Sequence, residues 1–260
     1  MQNLIGKIVF KICKKLLSIF GFVINLGANS SLYPELNKDE MNFLRSVFDK
    51  HLTMTSFESL CTLAITCKHI SKSNISGSFV EAGVWRGGSS IVAKKFLKGE
   101  RKFFLYDTFA GMTEPSVHDF RVGGSDYSSS LEKWKSGQAE NHNDWVFASL
   151  EKVQKNFDGF GLLDDSIVFH KGDVRETLNE MQLPEEIVLL RLDTDFYDST
   201  LIELQTLYPK LAKGGILILD DYGHWDGARL AVDEFFSAQT TATPLMIPIA
   251  GGGGRLIIKQ

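Results

Sequence analysis

The chain has 260 residues, of which 43% are hydrophobic and 23% charged. A chain of this size and composition can bury one large core, so a disordered or collagen-like protein is excluded. Its formal net charge of −4 is unevenly distributed, because residues 1–30 carry four lysines and no acid, and the rest carries 24 basic and 32 acidic side chains. Such an acidic body excludes a general nucleic-acid binder, whose affinity would depend on clustered Lys and Arg.

Residues 4–26 form an apolar stretch that is interrupted by Lys7, Lys11, Lys14 and Lys15. No apolar run approaches the roughly 18 residues of a membrane span, and the polar positions fall at helical spacing, which predicts an amphipathic helix with a narrow basic stripe. Two interpretations are open: a helix lying on an anionic membrane, or a helix docked on its own domain or on a second subunit. We expect a homo-oligomer.

Three cysteines, Cys13, Cys61 and Cys67, have neither the number nor the spacing of a disulfide framework or a zinc site. This indicates a reducing compartment. We therefore expect a cytoplasmic protein, either free or peripheral on the inner membrane face.

From residue 56 onward the pattern is that of an α/β domain. Apolar runs rich in Val, Ile, Leu and Phe alternate with helical segments, which is typical of a parallel sheet covered on both faces. The predicted helices are around 40–49 and at 57–70, 89–98, 174–181, 199–213 and 228–238, and the predicted strands are 78–83, 102–107, 166–173, 186–193, 214–221, 244–249 and 255–259. Ser56 is the predicted N-cap of the second helix, and Gly214-Gly215 are predicted to end the helix at 199–213.

The predicted fold is a doubly wound, mostly parallel seven-stranded sheet. We divide the chain into an N-terminal helical extension or lid at 1–55 and a main domain at 56–260. A polar, aromatic-punctuated insertion at 110–145 lies where a substrate lid is expected. Its residues Trp134, Trp145 and Tyr127 either stack on a ligand or anchor the insertion to the core.

Each of the first five strands ends in an acid, and folds of this kind bind ligands beyond the carboxyl ends of their strands. The first strand continues into the turn EAGVWRGGS at 81–89, where Gly83 and Gly87 let the backbone approach a ligand and the next helix presents free N–H groups. The turn is neither GxGxxG nor a P-loop. Glu81 followed by a glycine turn suits a cationic cofactor such as S-adenosylmethionine; a purely structural turn is the alternative.

Two further acids offer contacts to such a cofactor. Asp107 ends the second strand 24 residues after Gly83, a position where an acid commonly accepts hydrogen bonds from the ribose hydroxyls of adenosine. Asp173 closes the third strand and would meet an adenine amino group. For both residues, capping of the following turn or helix is the alternative.

Four acids follow the next two strands, namely Asp193, Asp195, Asp220 and Asp221. Neighbouring strands lie about 4.8 Å apart, so these carboxylates converge and would repel each other unless a cation lies among them or a carboxyl holds a proton. Oxygen-only ligands suit Mg²⁺, Ca²⁺ or Mn²⁺. Separate helix caps and solvated strand ends are the alternative.

Four motifs, in order, resemble the macrocin O-methyltransferase family, class I S-adenosylmethionine-dependent enzymes that methylate sugar hydroxyls of macrolide and aminocoumarin antibiotics. These motifs are FVEAGVWRGGSS, LYDTFAGM, RLDTDFYDST and LDDYGHWDGARLAVDEF, and the similarity extends from about Met54 to about Phe236. The resemblance implies S-adenosylmethionine and Mg²⁺ as cofactors and a glycoside or other sugar-bearing small molecule as acceptor. The implied methionine and ribose contacts are Glu81, Gly83, Ser89 and Asp107, the implied adenine contact is Asp173, and the implied Mg²⁺ ligands are Asp193, Asp220 and Asp221. Asp195 is the implied general base, with His224 and His142 as alternatives.

Three features depart from that family pattern: Ala82 in place of a cysteine, the Gly251–Gly254 run, and the basic N-terminus. The last makes a surface polysaccharide or lipid-linked glycan an alternative acceptor. Three other functions remain open at this stage. They are a catechol-type O-methyltransferase, a glycosyltransferase that uses Asp193-Thr194-Asp195 as a DxD metal site, and a membrane-associated binding module without turnover.

Overall fold

The computed structural model describes residues 32–124, 127–180, 182–239 and 243–260. The predicted amphipathic helix at 4–26, with its membrane or subunit contact, lies outside these ranges. The chain divides into two compact units, 1–38 and 39–260, and the second contains the whole sheet. Within the described ranges, no helix has both the length and the hydropathy to cross a membrane.

The centre of the second unit is a seven-stranded sheet in the order β3-β2-β1-β4-β5-β7-β6. The strands are β1 Ser78–Ala82, β2 Phe103–Asp107, β3 Ile167–Lys171, β4 Ile187–Leu192, β5 Leu211–Leu219, β6 Ile247–Pro248 and β7 Arg255–Ile258. Strands β1 to β5 are parallel, whereas β7 runs antiparallel to both β5 and β6. The prediction of a doubly wound, mostly parallel seven-stranded sheet is confirmed.

Helices cover both faces of this sheet. They are α1 Lys38–Asp49, α2 Phe57–Lys72, α3 Gly88–Phe96, α4 Ser128–Ser136, α5 Leu150–Asp158, α6 Val174–Glu180, α7 Tyr197–Leu207 and α8 Asp226–Ser237. One face packs alternate strand residues, such as Val80 and Leu190, against apolar residues of α6, α7 and α8. The opposite face carries Glu81, which α3 covers through Ser90. Alternation along each strand thus places Glu81 and Arg191 together on the α3 side.

The predicted helix at 199–213 is wrong in its C-terminal half. Helix α7 ends at Leu207, a 3₁₀ turn covers Tyr208–Lys210, and β5 already begins at Leu211. Pro209 lacks the N–H group that the next α-helical hydrogen bond would need, so the chain leaves the helix before Gly214-Gly215. The predicted strand at 244–249 is reduced to Ile247–Pro248, and α4 and α5 have no counterpart among the predicted elements.

The order of the strands reverses between β1 and β4, which makes their carboxyl ends neighbours. Gly83 lies at this point with φ +85°, and a Cβ atom there would lie 1.9 Å from the carbonyl oxygen of Asp193. Only glycine fits this approach. The residues after β1 and those after β4 therefore share one end of the sheet.

The insertion at 110–145 packs onto the main domain. Trp145 is buried in a cluster with Phe196 and Trp225, and Trp134 packs against the same cluster. Asp119 is also buried and accepts hydrogen bonds from the backbone N–H groups of Tyr197 and Ser116, each at 2.7 Å. For Trp134 and Trp145, these contacts favour the anchoring interpretation.

Candidate active site

A cavity of about 580 Å³ opens at the carboxyl ends of the parallel strands. Nine of the ten predicted site residues line it: Glu81, Gly83, Ser89, Asp107, Asp173, Asp193, Asp195, Asp220 and Asp221. Gly87 is not among the lining residues. It precedes α3 with φ +85°, and a Cβ atom there would approach the ring of Phe157 at 3.1 Å, so its place in the fold is structural.

Asp107 holds the glycine turn in place. Its Oδ2 atom accepts hydrogen bonds from the backbone N–H groups of Val84 and Trp85, both at 2.8 Å, and its Oδ1 atom accepts one from Phe109 at 2.7 Å. Burial raises the pKa of Asp107, and these hydrogen bonds partly offset that rise. The residue caps its own turn and also supports the positive φ of 46° at Trp85.

Asp173 caps helix α6 and also lines the cavity. Its Oδ1 atom accepts a hydrogen bond from the backbone N–H of Arg175 at 2.9 Å, and its Oδ2 atom lies 2.6 Å from the Arg175 guanidinium. Burial raises the pKa of Asp173, but the hydrogen bonds and charge of Arg175 outweigh it and lower the pKa overall. The capping alternative is therefore observed, and the adenine contact stays a prediction.

Arg191 is a buried cation among three of the acids. In the register of the sheet it lies directly opposite Glu81, and its Nη1 atom is 2.7 Å from Glu81 Oε1 and 2.6 Å from Asp193 Oδ2. Its Nη2 atom is 2.8 Å from Asp220 Oδ1. The Arg191 side chain is only 3% exposed, which makes these contacts weakly screened.

The crowding of acids predicted a cation or a proton among them, but the prediction did not include Arg191. Its signal was visible: a single Arg near the end of the otherwise apolar run IVLLRL, two residues before Asp193. A buried Arg requires carboxylate partners. This one charge does not balance the site, because Asp195 and Asp221 also line the cavity and make no ion pair among the described residues.

Mutual repulsion raises the pKa values of the carboxylates in this cluster. Burial raises the pKa of Asp193 well above its usual range; Arg191 opposes the rise, and the charges of Asp220 and Asp221 add to it. Burial also raises the pKa of Asp221, with Asp195 and Asp220 adding to the effect. An excess of negative charge of this kind favours binding of a further cation.

Asp195 combines an unusual backbone with a shifted pKa. Its φ is +66°, in the left-handed region that non-glycine residues seldom adopt, and its N–H donates to Asp221 Oδ2 at 3.1 Å. Burial raises the pKa of Asp195 to about 7; the charge of Asp193 adds to this, and Asp221, Arg121 and Trp225 oppose it. A carboxylate with a pKa near neutrality suits proton transfer.

Asp220, Asp221 and His224 form a compact group, with one potential ligand atom from each within 4.8 Å of the others. However, His224 Nε2 already accepts a hydrogen bond from the backbone N–H of Gly253 at 3.1 Å. A neutral imidazole in this state carries its proton on Nδ1. Carboxylate oxygens are therefore the better candidates for metal ligands in this group.

Two segments that hold none of the ten predicted site residues also border the cavity. Residues 53–56 and the Gly251–Gly254 run both line it. The Thr55 hydroxyl donates to Asp220 Oδ1 at 3.4 Å, and the Ser56 hydroxyl donates to the carbonyl oxygen of Ala250 at 3.4 Å. A Cβ atom at Gly251 would lie 2.6 Å from Ser56 Oγ, so the glycine lets the two segments meet.

Comparison with known proteins supports the same chemistry. Residues 45–250 match the family model described as macrocin O-methyltransferase (TylF). The chain is 32% identical over 197 residues to 8-demethyl-8-(2,3-dimethoxy-alpha-L-rhamnosyl)-tetracenomycin-C 4'-O-methyltransferase of Streptomyces olivaceus, covering 74% of this chain and 70% of the relative. It is 30% identical over 187 residues to demethyldecarbamoylnovobiocin O-methyltransferase of Streptomyces niveus, covering 70% and 67%. Among solved structures, the O-methyltransferase NovP superposes with a TM-score of 0.68 at 28% identity, covering 80% of this chain and 82% of that one.

Proposed function

This chain belongs to the macrocin O-methyltransferase family, and we propose that it transfers a methyl group to a sugar hydroxyl of a glycosylated natural product or surface glycan, with Mg²⁺ as its metal. As a member of the family it is an S-adenosylmethionine-dependent O-methyltransferase. This assignment makes the glycosyltransferase interpretation of Asp193-Thr194-Asp195 wrong. The name of one relative, which places its reaction on a rhamnosyl-bearing tetracenomycin, supports the sugar acceptor.

The shape and charge of the main cavity support the methyl donor proposed for it. A volume of about 580 Å³ is within the usual range for cofactor sites. Its wall brings the glycine turn after β1 next to Asp107 and Asp173, as the contacts to methionine, ribose and adenine require. An excess of carboxylates at one end suits a sulfonium cation.

The residues also fit a divalent metal ion. Asp193, Asp220 and Asp221 would hold it, because their oxygens are the donors that Mg²⁺ prefers and because Arg191 leaves negative charge uncompensated there. When bound, Mg²⁺ would orient two neighbouring acceptor hydroxyls and lower the pKa of the reacting one.

Asp195 acts as the general base in this proposal. It takes the proton of the acceptor hydroxyl while the oxygen attacks the sulfonium methyl group, the carbon–sulfur bond breaks, and S-adenosylhomocysteine leaves. Arg191 positions Asp193 by a 2.6 Å contact, and the segment at 53–56 forms part of the cavity wall. The observation that carries the proposal is the convergence of nine predicted residues on one cavity.

The test is methyl transfer by Asp193→Asn and Asp220→Asn variants to a rhamnoside, with a catechol as the competing acceptor. Both variants should lose transfer by at least about 100-fold while calorimetry still shows S-adenosylmethionine binding. Asp165→Asn, at an exposed position, is the matched control and should keep full activity. Undiminished transfer in excess EDTA would overturn the metal assignment, and transfer to the catechol alone would overturn the sugar acceptor.

A further inference from the structure

A second hollow of about 340 Å³ adjoins the main cavity and is not used by the mechanism above. The two share five wall residues, namely Met54, Trp85, Arg121, Val146 and Asp195. Because Asp195 belongs to both, a sugar whose hydroxyl reaches Asp195 would extend its other substituents into the second hollow. The remaining wall residues of this hollow are Arg86, Lys133, Asp144, Trp145, Phe147 and Trp225.

Three cationic side chains line this hollow, and each lies over a tryptophan ring. The Arg86 guanidinium is 4.4 Å from the ring centroid of Trp85, the Arg121 guanidinium is 4.4 Å from that of Trp225, and the Lys133 ammonium is 4.5 Å from that of Trp145. Such stacking orients a cation but leaves its hydrogen-bond donors largely available.

The carboxylates of the wall neutralise the three cations only in part. Among the residues that the structure describes, Arg86, Arg121 and Lys133 make no ion pair. Apart from Asp195, the wall holds one acid, Asp144, and its Oδ1 atom lies 3.0 Å from His142. The hollow is therefore cationic although the body of the protein is acidic.

We propose that this hollow binds an anionic group of the acceptor, so that the substrate is a sugar bearing a phosphate or a carboxylate. This rests on the proposed sugar O-methylation. Guanidinium groups match both anions in geometry and charge, and the tryptophan rings hold the three cations at the wall of the hollow. The three cations offset the repulsion that an anion would otherwise meet from the acids around Asp195.

The first experiment measures anion binding directly, without catalysis. Inorganic pyrophosphate, a methyl glucuronide and the neutral methyl glucoside are titrated calorimetrically into the full chain with S-adenosylhomocysteine and EDTA, so that no divalent metal contributes. We expect at least one of the two anions to bind at least about tenfold more tightly than methyl glucoside. Tighter binding of pyrophosphate assigns a phosphate, and tighter binding of the glucuronide assigns a carboxylate.

Variants then localise the site. Lys133→Gln and Arg86→Gln should each weaken anion binding by about fivefold, and more added salt should weaken binding by the wild type further. Lys135→Gln is the matched control, because Lys135 lies on the same helix, is exposed and is not part of the wall. Absence of binding by both anions, or an equal loss in the Lys135→Gln variant, overturns the inference.

The inference and the proposed function fail in different ways. Equal kcat/KM for neutral and anionic forms of one sugar, unchanged by Lys133→Gln, overturns the anionic acceptor but leaves sugar methylation intact. Lys133-dependent binding of pyrophosphate without methyl transfer to any sugar leaves the anion site intact but overturns the proposed function.

Discussion

Arg191 is expected to be the most important electrostatic residue for stability, and Arg191→Met tests this. The substitution keeps an unbranched, flexible side chain, although a shorter one, and leaves Glu81, Asp193 and Asp220 without their cation. At contact distances of 2.6–2.8 Å and an effective dielectric constant of about 20, each attraction is worth roughly 6 kcal/mol before desolvation. The variant recovers the desolvation cost of the guanidinium, so we expect a net loss of about 3–5 kcal/mol in the free energy of unfolding at pH 7.

The pH dependence identifies the cause of this loss. Burial raises the pKa values of Glu81 and Asp193 even in the wild type, and removal of Arg191, which opposes that rise, raises them further. The folded variant therefore binds more protons than the folded wild type. Stability of the variant then falls as pH rises, by about 1.4 kcal/mol per pH unit for each protonated group. The loss relative to wild type should therefore be smaller at pH 5 than at pH 7.

The assay is urea unfolding followed by tryptophan fluorescence at pH 5 and pH 7, in EDTA. Arg175→Met is the matched control, since the Arg175 side chain is 43% exposed in its pair with Asp173 and its removal should cost less than about 1 kcal/mol. A loss below about 1 kcal/mol for the Arg191 variant at pH 7, or an equal loss at both pH values, would refute the reasoning.

Three further predictions concern packing and buried acids. Gly83→Ala should destabilise the protein by about 3 kcal/mol, because the new Cβ would lie 1.9 Å from the carbonyl oxygen of Asp193. Gly123 also has a positive φ but faces open space, so Gly123→Ala should cost only about 1 kcal/mol in the same urea assay. Equal losses for the two variants would contradict the steric argument. Burial raises the pKa of Glu203 well above its usual range, so the stability of the wild type falls as pH rises. The Glu203→Gln variant cannot ionise at this position and should gain stability relative to wild type between pH 5 and pH 9. A difference in unfolding free energy that stays constant over this range would argue against a neutral Glu203. Asp119→Ala removes the acceptor of two backbone N–H groups and should lower the free energy of unfolding by about 2 kcal/mol. It should also speed limited proteolysis within 110–145. Unchanged cleavage rates would show that Asp119 does not hold the insertion against the main domain.

Most elements of the fold were predictable because their signals are local. Strands buried on both faces are continuous apolar runs, and the hydroxyl of Ser56 caps α2 as predicted by accepting a hydrogen bond from Ser59 N–H at 3.0 Å. The end of α7 was not predicted, because the helix was extended to the glycines at 214–215 although Pro209 interrupts the helical hydrogen bonds. Helix α4 was missed because its sequence, SSSLEKWKS, is mostly polar and lacks a continuous apolar face. In the structure, Ser130 is its single buried residue.

The residue types of the candidate site were predictable, but the pairing of Arg191 with the acids was not. Acids at strand ends converge because parallel strands end at one edge of the sheet. Seven of the predicted acids line one cavity together with Gly83 and Ser89. The contact of Arg191 with Glu81, however, joins residues 110 positions apart and depends on the register of β1 against β4. Register is a property of the assembled sheet, not of either strand alone.

By itself, the sequence determined the fold class, the family resemblance and the set of acids that face one end of the sheet, because periodicity, strand-end position and motif spacing are all local. Only the tertiary structure decided how those charges are balanced. Arg191 neutralises part of the acid cluster from the α3 side of the sheet, and three cations stacked on tryptophans line the adjoining hollow. Charge balance depends on distances between segments remote in sequence, and packing sets those distances.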